Sequence, residues 1–207
     1  VLDVQTRAVA GSVLVDGVAP KLTGNCSQTS TTSVTSVTFT EKTHGYNFSF
    51  SVPCKSAWQN GFQWSGKVFP GVYQVRAGGD AYYSTLPGGA QIVVDSLDLT
   101  KQGKTDLVLD VQTRAVGGSI LVDGLVPKLT GNCSQTSTTA VASVTFTEKT
   151  HGYYFSFSIP CKSAWANGFQ WSGKVFPGVY QVRAGGDAYY SSLPGGMQIV
   201  LDALALP

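Results

Sequence analysis

The chain is one module written twice. Residues 1–100 return at 108–207 with a constant offset of 107 and no insertion, so that Val1-Leu-Asp-Val-Gln-Thr-Arg7 reappears as Val108-Leu-Asp-Val-Gln-Thr-Arg114. The aligned copies differ at 15 of 100 positions, mostly by mild exchanges such as Val13 to Ile120 and Val52 to Ile159. Self-similarity at about a hundred residues marks a tandem array of whole domains, because solenoids repeat at about 20–50 residues. Copies this alike are recent, so an unchanged residue is not for that reason a functional one. Arrays of this kind set reach or valency more often than they catalyse.

Each copy is long enough to bury a core of its own. Charged residues make up only 13% of the chain, while Thr, Ser, Gly, Val and aromatics are abundant, a mixture that favours β structure. A net charge of +2 over two domains, without a basic stripe, excludes an electrostatic footprint for nucleic acid. No apolar stretch approaches the roughly 18 residues of a membrane helix, so no membrane insertion of this segment is expected. The chain opens at Val1 inside its own repeat pattern, which predicts a segment of a longer exported protein.

Cysteine usage points to the compartment. Each copy carries two, Cys26 with Cys54 and Cys133 with Cys161, at the same internal spacing of 28. One pair per domain, with no Cys-x-x-Cys knuckle and no nearby histidine, fits an internal disulfide rather than zinc, with free buried thiols as the alternative. Disulfides persist outside the cytosol, so an extracellular or cell-surface location is expected.

Within one copy, Ser36-Val-Thr-Phe-Thr-Glu41 and Tyr46-Asn-Phe-Ser-Phe-Ser-Val52 alternate with period two across the turn Lys42-Thr-His-Gly45. This predicts a half-buried hairpin. Gly11-Ser-Val-Leu-Val-Asp-Gly17 reads as a strand ended by an Asp-Gly turn. Strands are also predicted at Phe62-Gln-Trp64 through Phe69, after Pro70-Gly71 at Val72-Tyr-Gln-Val-Arg-Ala77, and from Gln91 to Leu99. No window shows sustained helical periodicity. The fold class is therefore all-β: two tandem Greek-key β-sandwiches of about seven strands each, divided as residues 1–103 and 104–207.

The patterns Gly11-x-Val13-x-Val15-Asp16-Gly17, Val37-x-Phe39, Gly45-Tyr46-x-Phe48-x-Phe50 and Pro70-Gly71-x-Tyr73-x-Val75 resemble the carboxypeptidase-regulatory-like modules, which have a transthyretin-like (prealbumin) sandwich. More narrowly, the module resembles tandem repeats of secreted or lipid-anchored bacterial surface proteins. The resemblance implies seven strands in two sheets, an extracytoplasmic location and no catalytic residues. Two features depart from it. The loops at 26–32 and 53–61 are longer than the family's plain turns, and Gly78-Gly-Asp-Ala-Tyr-Tyr83 replaces the usual Pro-Gly-Tyr ending.

Chemistry is sparse. Nucleophilic catalysis needs a nucleophile, a base and an orienting group, yet each copy has a single histidine, His44 or His151, in a hairpin turn. No enzyme, no metal and no cofactor is expected. Glu41 and Glu148, the only glutamates, are expected as solvated edge charges. A Lys–Asn crosslink promoted by a buried acid would need a lysine on the first strand, and residues 1–9 contain none. Aromatics are the one suggestive group. Trp58 and Tyr82 (Trp165 and Tyr189 in the second copy) lie in long loops, with Asn60 and Asp80 (Asn167 and Asp187) nearby in sequence to meet sugar hydroxyls. Phe62 and Trp64 are expected in the core.

The expected function is a non-enzymatic stalk, spacer or adhesive module of a secreted or cell-surface protein, whose weak contacts multiply along an array. The alternative is a pair of carbohydrate-binding modules using the loop aromatics. Expected partners are adjacent repeats of the parent protein and a surface glycan or another surface protein. The junction leaves two readings. Residues 107–111 either form a hairpin with the strand ending at Leu99 and finish the first sandwich, or begin the second. If they finish the first, the second copy lacks its closing strand, and terminal strands such as Val1–Val4 predict head-to-tail self-association.

Overall fold

The alternating segments become strands along the whole chain. The computed structural model describes residues 3–207 and divides into two units, Val1–Thr113 and Arg114–Pro207. The boundary expected at 103/104 thus moves to 113/114, because the strand after the linker completes the first unit.

Unit 1 contains β1 (Arg7–Val15), β2 (Ser33–Glu41), β3 (Asn47–Pro53), α1 (Cys54–Asn60), β4 (Gln63–Val68), β5 (Val72–Gly79), β6 (Gly89–Asp98) and β7 (Lys104–Val111). One sheet has the order β4-β1-β7 and the other β3-β2-β5-β6. Strand β5 returns to lie beside β2 after the chain has run through β3 and β4, which is a Greek-key connection. Inward positions of the two sheets meet in a core that includes Val13, Val37, Phe39, Tyr73, Val75 and Leu109. Phe39 is its centre, with ring centroids 5.5 Å from Trp64, 5.7 Å from Phe50 and 5.9 Å from Tyr73. Trp64 and Phe62 are buried, as their strand pattern predicts.

Residues 107–111 do finish the first sandwich, but not as a hairpin. β7 leaves the sheet of β6, crosses to the other sheet and runs parallel to β1, pairing Gly11 with Leu107, Val13 with Leu109 and Val15 with Val111. Here Leu107, Leu109 and Val111 all point into the core and are buried, while Val108 faces out. The parallel neighbour comes so close that a Cβ on Gly11 would stand 2.0 Å from the Leu107 carbonyl oxygen, so this position requires glycine.

Unit 2 repeats the plan with β8 (Arg114–Ser119), β9 (Ala140–Glu148), β10 (Tyr154–Pro160), α2 (Cys161–Asn167), β11 (Gln170–Val175), β12 (Gly178–Gly186) and β13 (Gly196–Leu206). Its sheets are β11-β8 and β10-β9-β12-β13. It has six strands rather than about seven, because among the described residues nothing occupies the place that β7 takes beside β1. The helices also depart from expectation. The 53–61 segment, expected as a loop, winds into a seven-residue helix that opens after Pro53 and stops at Gly61, whose φ of 67° ends the turn. Its inward residues Cys54 and Ala57 are buried, and that contact holds a helix too short to stand alone.

Candidate functional site

The loop aromatics gather around one short segment. The Cys26–Cys54 disulfide, with Cα atoms 5.4 Å apart, fastens the 26–32 loop to the first turn of α1. The indole Nε1 of Trp58 donates to the Cys26 carbonyl at 2.7 Å, and the ring remains 49% exposed. From the other side, the Tyr82 carbonyl accepts from Thr23 Oγ1 at 2.6 Å and from Asn25 Nδ2 at 3.2 Å, leaving the Tyr82 ring 61% exposed. Tyr82 and Tyr83 meet edge to face at 4.9 Å. Cys133–Cys161, Trp165 and Tyr189 repeat this geometry in unit 2.

The polar partners expected for a sugar do not join them. Asp80 is engaged in its own turn, where its Oδ1 accepts from the Tyr82 amide at 2.9 Å; Asp187 does the same for Tyr189 at 2.8 Å. Asn60 lies one turn beyond Ser56, so the two share a helix face that Trp58 does not. Both line a separate cleft of about 700 Å³ with Gln63, Thr105 and Asp106. Asn167 stands at the same place on α2. Each copy thus offers two anchored, half-open rings without converging hydroxyl ligands.

Glu41 corrects the sequence expectation. It is buried, with its carboxylate turned into the hairpin rather than out to water. Its Oε2 accepts from the amide of Thr43 at 2.9 Å and from the amide of His44, and His44 Nδ1 lies 3.4 Å away. The His44 amide, more than any other partner, holds the Glu41 carboxyl below the ordinary value of 4.5. In Glu148 burial pushes the other way, and the amides of His151 and Thr150 still hold the group low. The carboxylates act as anchors that tie the 42–45 turn to the sheet end. Nearby, the Tyr73 hydroxyl donates to the Phe69 carbonyl at 2.8 Å, and burial, followed by the Glu41 charge, raises its pKa. Among the described residues no three His, Cys, Asp or Glu side chains come together as a metal site.

These carboxylates make stability depend on acid. A group whose folded pKa lies below its unfolded value stabilises above the unfolded value and stops doing so as pH falls through the folded one. Melting temperature is therefore expected to hold down to about pH 4.5 and to drop below it. A Glu41→Gln/Glu148→Gln double variant should show a lower plateau and a shallower acid slope. The slope that remains comes from Asp98, lowered by Thr100, and Asp202, lowered by Gln181 and Lys149. Melting curves from pH 7 to 2.5 check this, and an unchanged slope in the double variant overturns the anchor role.

The most developed site is the slot beside β1. Besides its ladder with β1, β7 is clasped by four polar bonds. The Gly17 amide donates to Asp110 Oδ1 at 2.9 Å, and Asp16 accepts from the Thr113 amide at 2.7 Å and from the Thr113 hydroxyl at 2.6 Å. Gln91 Oε1 accepts from the Gln112 amide at 2.9 Å. Asp16 reaches Thr113 because the Asp16-Gly17 pair sits at φ 52° and 80°, the left-handed conformation of a tight type I′ turn, which Asp and Gly tolerate best. Nothing in a local reading marks Asp16, Asp110, Gln112 and Thr113 as partners. The available signal was the alternation Leu107-Val-Leu-Asp-Val111, a strand pattern directly after the polar 100–106 stretch.

Among the described residues no strand pairs with β8 on the side where β7 pairs with β1. Ile120, Val122, Trp171, Leu201 and Leu204 line an apolar groove of about 890 Å³. Leu121 and Leu201 are about half exposed, whereas their counterparts Leu14 and Val94 in unit 1 are partly covered.

No protein-family model matches the chain, and no curated protein matches it. Among solved structures it is similar to a leucine-rich repeat protein from Bacteroides thetaiotaomicron VPI-5482, at 12% identity and a TM-score of 0.31 over 97% of this chain and 25% of that one. It is similar to the Bacillus anthracis TIE protein, at 9% identity and a TM-score of 0.32 over 98% of this chain and 32% of that one. A proposed adhesin from Bacteroides ovatus ATCC 8483 aligns at 10% identity and a TM-score of 0.34, over 86% of this chain and 77% of that one. The chain spans about a quarter to a third of the first two proteins. Likeness at this level does not bear on function.

Proposed function

We propose that the chain is a non-enzymatic spacer of a secreted or cell-surface protein, in which each sandwich is closed by the leading strand of the next copy. The observation that carries this reading is β7. It is the leader of the second repeat by sequence and the closing strand of the first unit by structure. Only Gln112 and Thr113 separate β7 from β8, and both are hydrogen-bonded into unit 1. A repeat whose leading residues complete the preceding unit suits a segment that holds something at a distance. The disulfides support an extracytoplasmic setting. The seven strands in two sheets of unit 1 suit the carboxypeptidase-regulatory-like resemblance.

Carbohydrate binding is the competing reading, and Trp58 decides between them. Glycan-array binding of the native chain and of a Trp58→Ala/Trp165→Ala variant should give no ring-dependent signal. A glycan retained by the native chain and lost at least about tenfold by the variant would move the assignment to a lectin-like pair, since stacking on a tryptophan is worth about 1–2 kcal/mol.

A further inference from the structure

We propose that the polar cleft of unit 1 binds a short neutral saccharide, held by hydroxyl and carboxamide side chains rather than by the loop rings. This goes beyond the spacer reading, and neither Trp58 nor Tyr82, on which the competing reading depends, lines the cleft.

The cleft lies wholly within unit 1 and measures about 700 Å³. Sites for small molecules run from about 300 to 1,000 Å³. Three elements bring its polar groups together. Ser12 of β1 and Gln63 of β4 are cross-strand neighbours in the sheet. Helix α1 contributes Ser56 and Asn60, one turn apart on a single face. Strand β7 contributes Thr105 and Asp106.

That last pair is presented by an irregularity in the ladder. Val9 pairs with Lys104 and Gly11 with Leu107, so two steps along β1 face three along β7. A bulge of this kind is rare in a parallel pair, and bulges serve to re-aim side chains. Two close contacts pin β7 on either side of it. A Cβ on Gly103 would run into the Ala8 carbonyl, and one on Gly11 into the Leu107 carbonyl. Thr105 and Asp106 lie between these contacts and bow out of the ladder into the cleft wall. The Asp106 side chain is 83% exposed, and Lys104 Nζ stands 3.9 Å from its Oδ1 without itself lining the cleft.

The wall selects the ligand. A hydroxyl donates and accepts, a carboxamide does both through its two ends, and a carboxylate only accepts. Such a set matches a ligand whose own groups are hydroxyls. Among the described residues no Lys, Arg or His lines the cleft, so a phosphate or carboxylate would meet only the charge of Asp106. Trp64 adds an unused donor. It lines the cleft at 6% exposure, and its indole Nε1–H is buried without a hydrogen-bond partner. The equivalent Trp171 packs alike, 5.8 Å from Phe157 as Trp64 is from Phe50, and its Nε1 edge faces Gly118, where a Cβ would stand 3.7 Å away. Gly118 corresponds to Gly11, which forms part of the cleft wall, so Trp64 turns its unpaired donor toward the site. A buried donor left unpaired is costly, and a sugar hydroxyl seated against Gly11 is an acceptor for it.

The test is an amide-resolved NMR titration of the 207-residue chain with glucose, galactose, mannose, N-acetylglucosamine, maltose and cellobiose. Each is taken to about 20 mM, a range that captures a millimolar site. Saturable shifts are expected with at least one sugar, at Ser12, Gln63, Asp106 and the Trp64 indole N–H. Asp106→Ala and Asn60→Ala, both at exposed positions, should leave melting unchanged and weaken that sugar at least about fivefold. Trp58→Ala should leave its affinity as it was. Inorganic phosphate and spermidine serve as anionic and cationic probes. No saturable shift with any of the six sugars overturns the proposal, as does tighter binding of phosphate or spermidine. Shifts confined to Trp58 and Tyr82 overturn it too, and would return sugar binding to the rings.

Discussion

Replacing Leu109 with aspartate is expected to unfold the first sandwich and leave the second standing. Leu109 is wholly buried on β7, opposite Val13 in the middle of the parallel ladder. Truncating a buried leucine to alanine costs about 3–5 kcal/mol through lost burial and the cavity left behind. A carboxylate at the same place adds the cost of an unpaired charge in a dry core. Against the roughly 5–15 kcal/mol by which whole domains are stable, that loss is decisive. Hydrogen exchange followed by mass spectrometry should show residues 7–98 losing protection while 114–206 keep it. Leu109→Ala should give a graded version, with the first unit's melting lowered by about 15 °C or more. The sequence partition at 103/104 predicts the reverse, with damage in the second unit, so the two assignments of β7 are separated by one variant.

What could be read from the sequence was whatever local chemistry dictates. Phe48, Phe50 and Val52 alternate against Asn47, Ser49 and Ser51, and β3 buries Val52, half-covers Phe48 and Phe50 and exposes the other side, as that pattern requires. Pro70-Gly71 and Asp16-Gly17 place turns because few other residues hold those backbone angles. The cysteines paired within each copy as counted. Three features lay beyond such reasoning. Helix α1 spans seven residues, too few for a 3.6-residue period to declare itself, and it persists because a disulfide and the buried Ala57 hold it. Glu41 looked like an edge charge because its neighbours are polar. Its burial depends on amides of the next turn folding back over it, which no spacing shows. Strand β7 left two local readings, a hairpin with the strand ending at Leu99 or the first strand of the second copy. Its true neighbour, β1, is more than ninety residues away in sequence and parallel, a pairing that only the three-dimensional path reveals. At the candidate site the rings of Trp58 and Tyr82 are exposed, Trp58 on helix α1 rather than in the expected loop, and the sequence showed neither the turn that already engages Asp80 nor the clasp around β7.

Reduction of the two disulfides is the other change expected to have a large effect. Each bridge closes a segment with a sequence separation of 28, and the chain-entropy model assigns about 3.5 kcal/mol to a loop of that length, with the mechanism itself model-dependent. For a domain of about 100 residues that corresponds to a fall in melting temperature of about 15–25 °C in the presence of a phosphine reductant. The loss should appear in both units, since the bridges are equivalent, whereas a Cys26→Ala/Cys54→Ala variant should lower only the first transition. Thiol titration of the denatured, unreduced protein should find no free cysteine; four free thiols, or a melting curve indifferent to reductant, would remove the bridges from the account of stability. The consequence reaches the surface as well as the core. Cys26 supplies both the sulfur that fastens the 26–32 loop to α1 and the carbonyl that holds the Trp58 indole. Without the bridge, a seven-residue helix has only Ala57 and the stub of Cys54 to keep it in place, so α1 should fray and Trp58 should lose its fixed orientation. Tryptophan fluorescence anisotropy of the reduced protein, measured below its melting transition, should fall accordingly. The exposed end of each unit is therefore built to be ordered only where cysteines stay oxidised, which ties its geometry to the extracytoplasmic setting proposed for the chain.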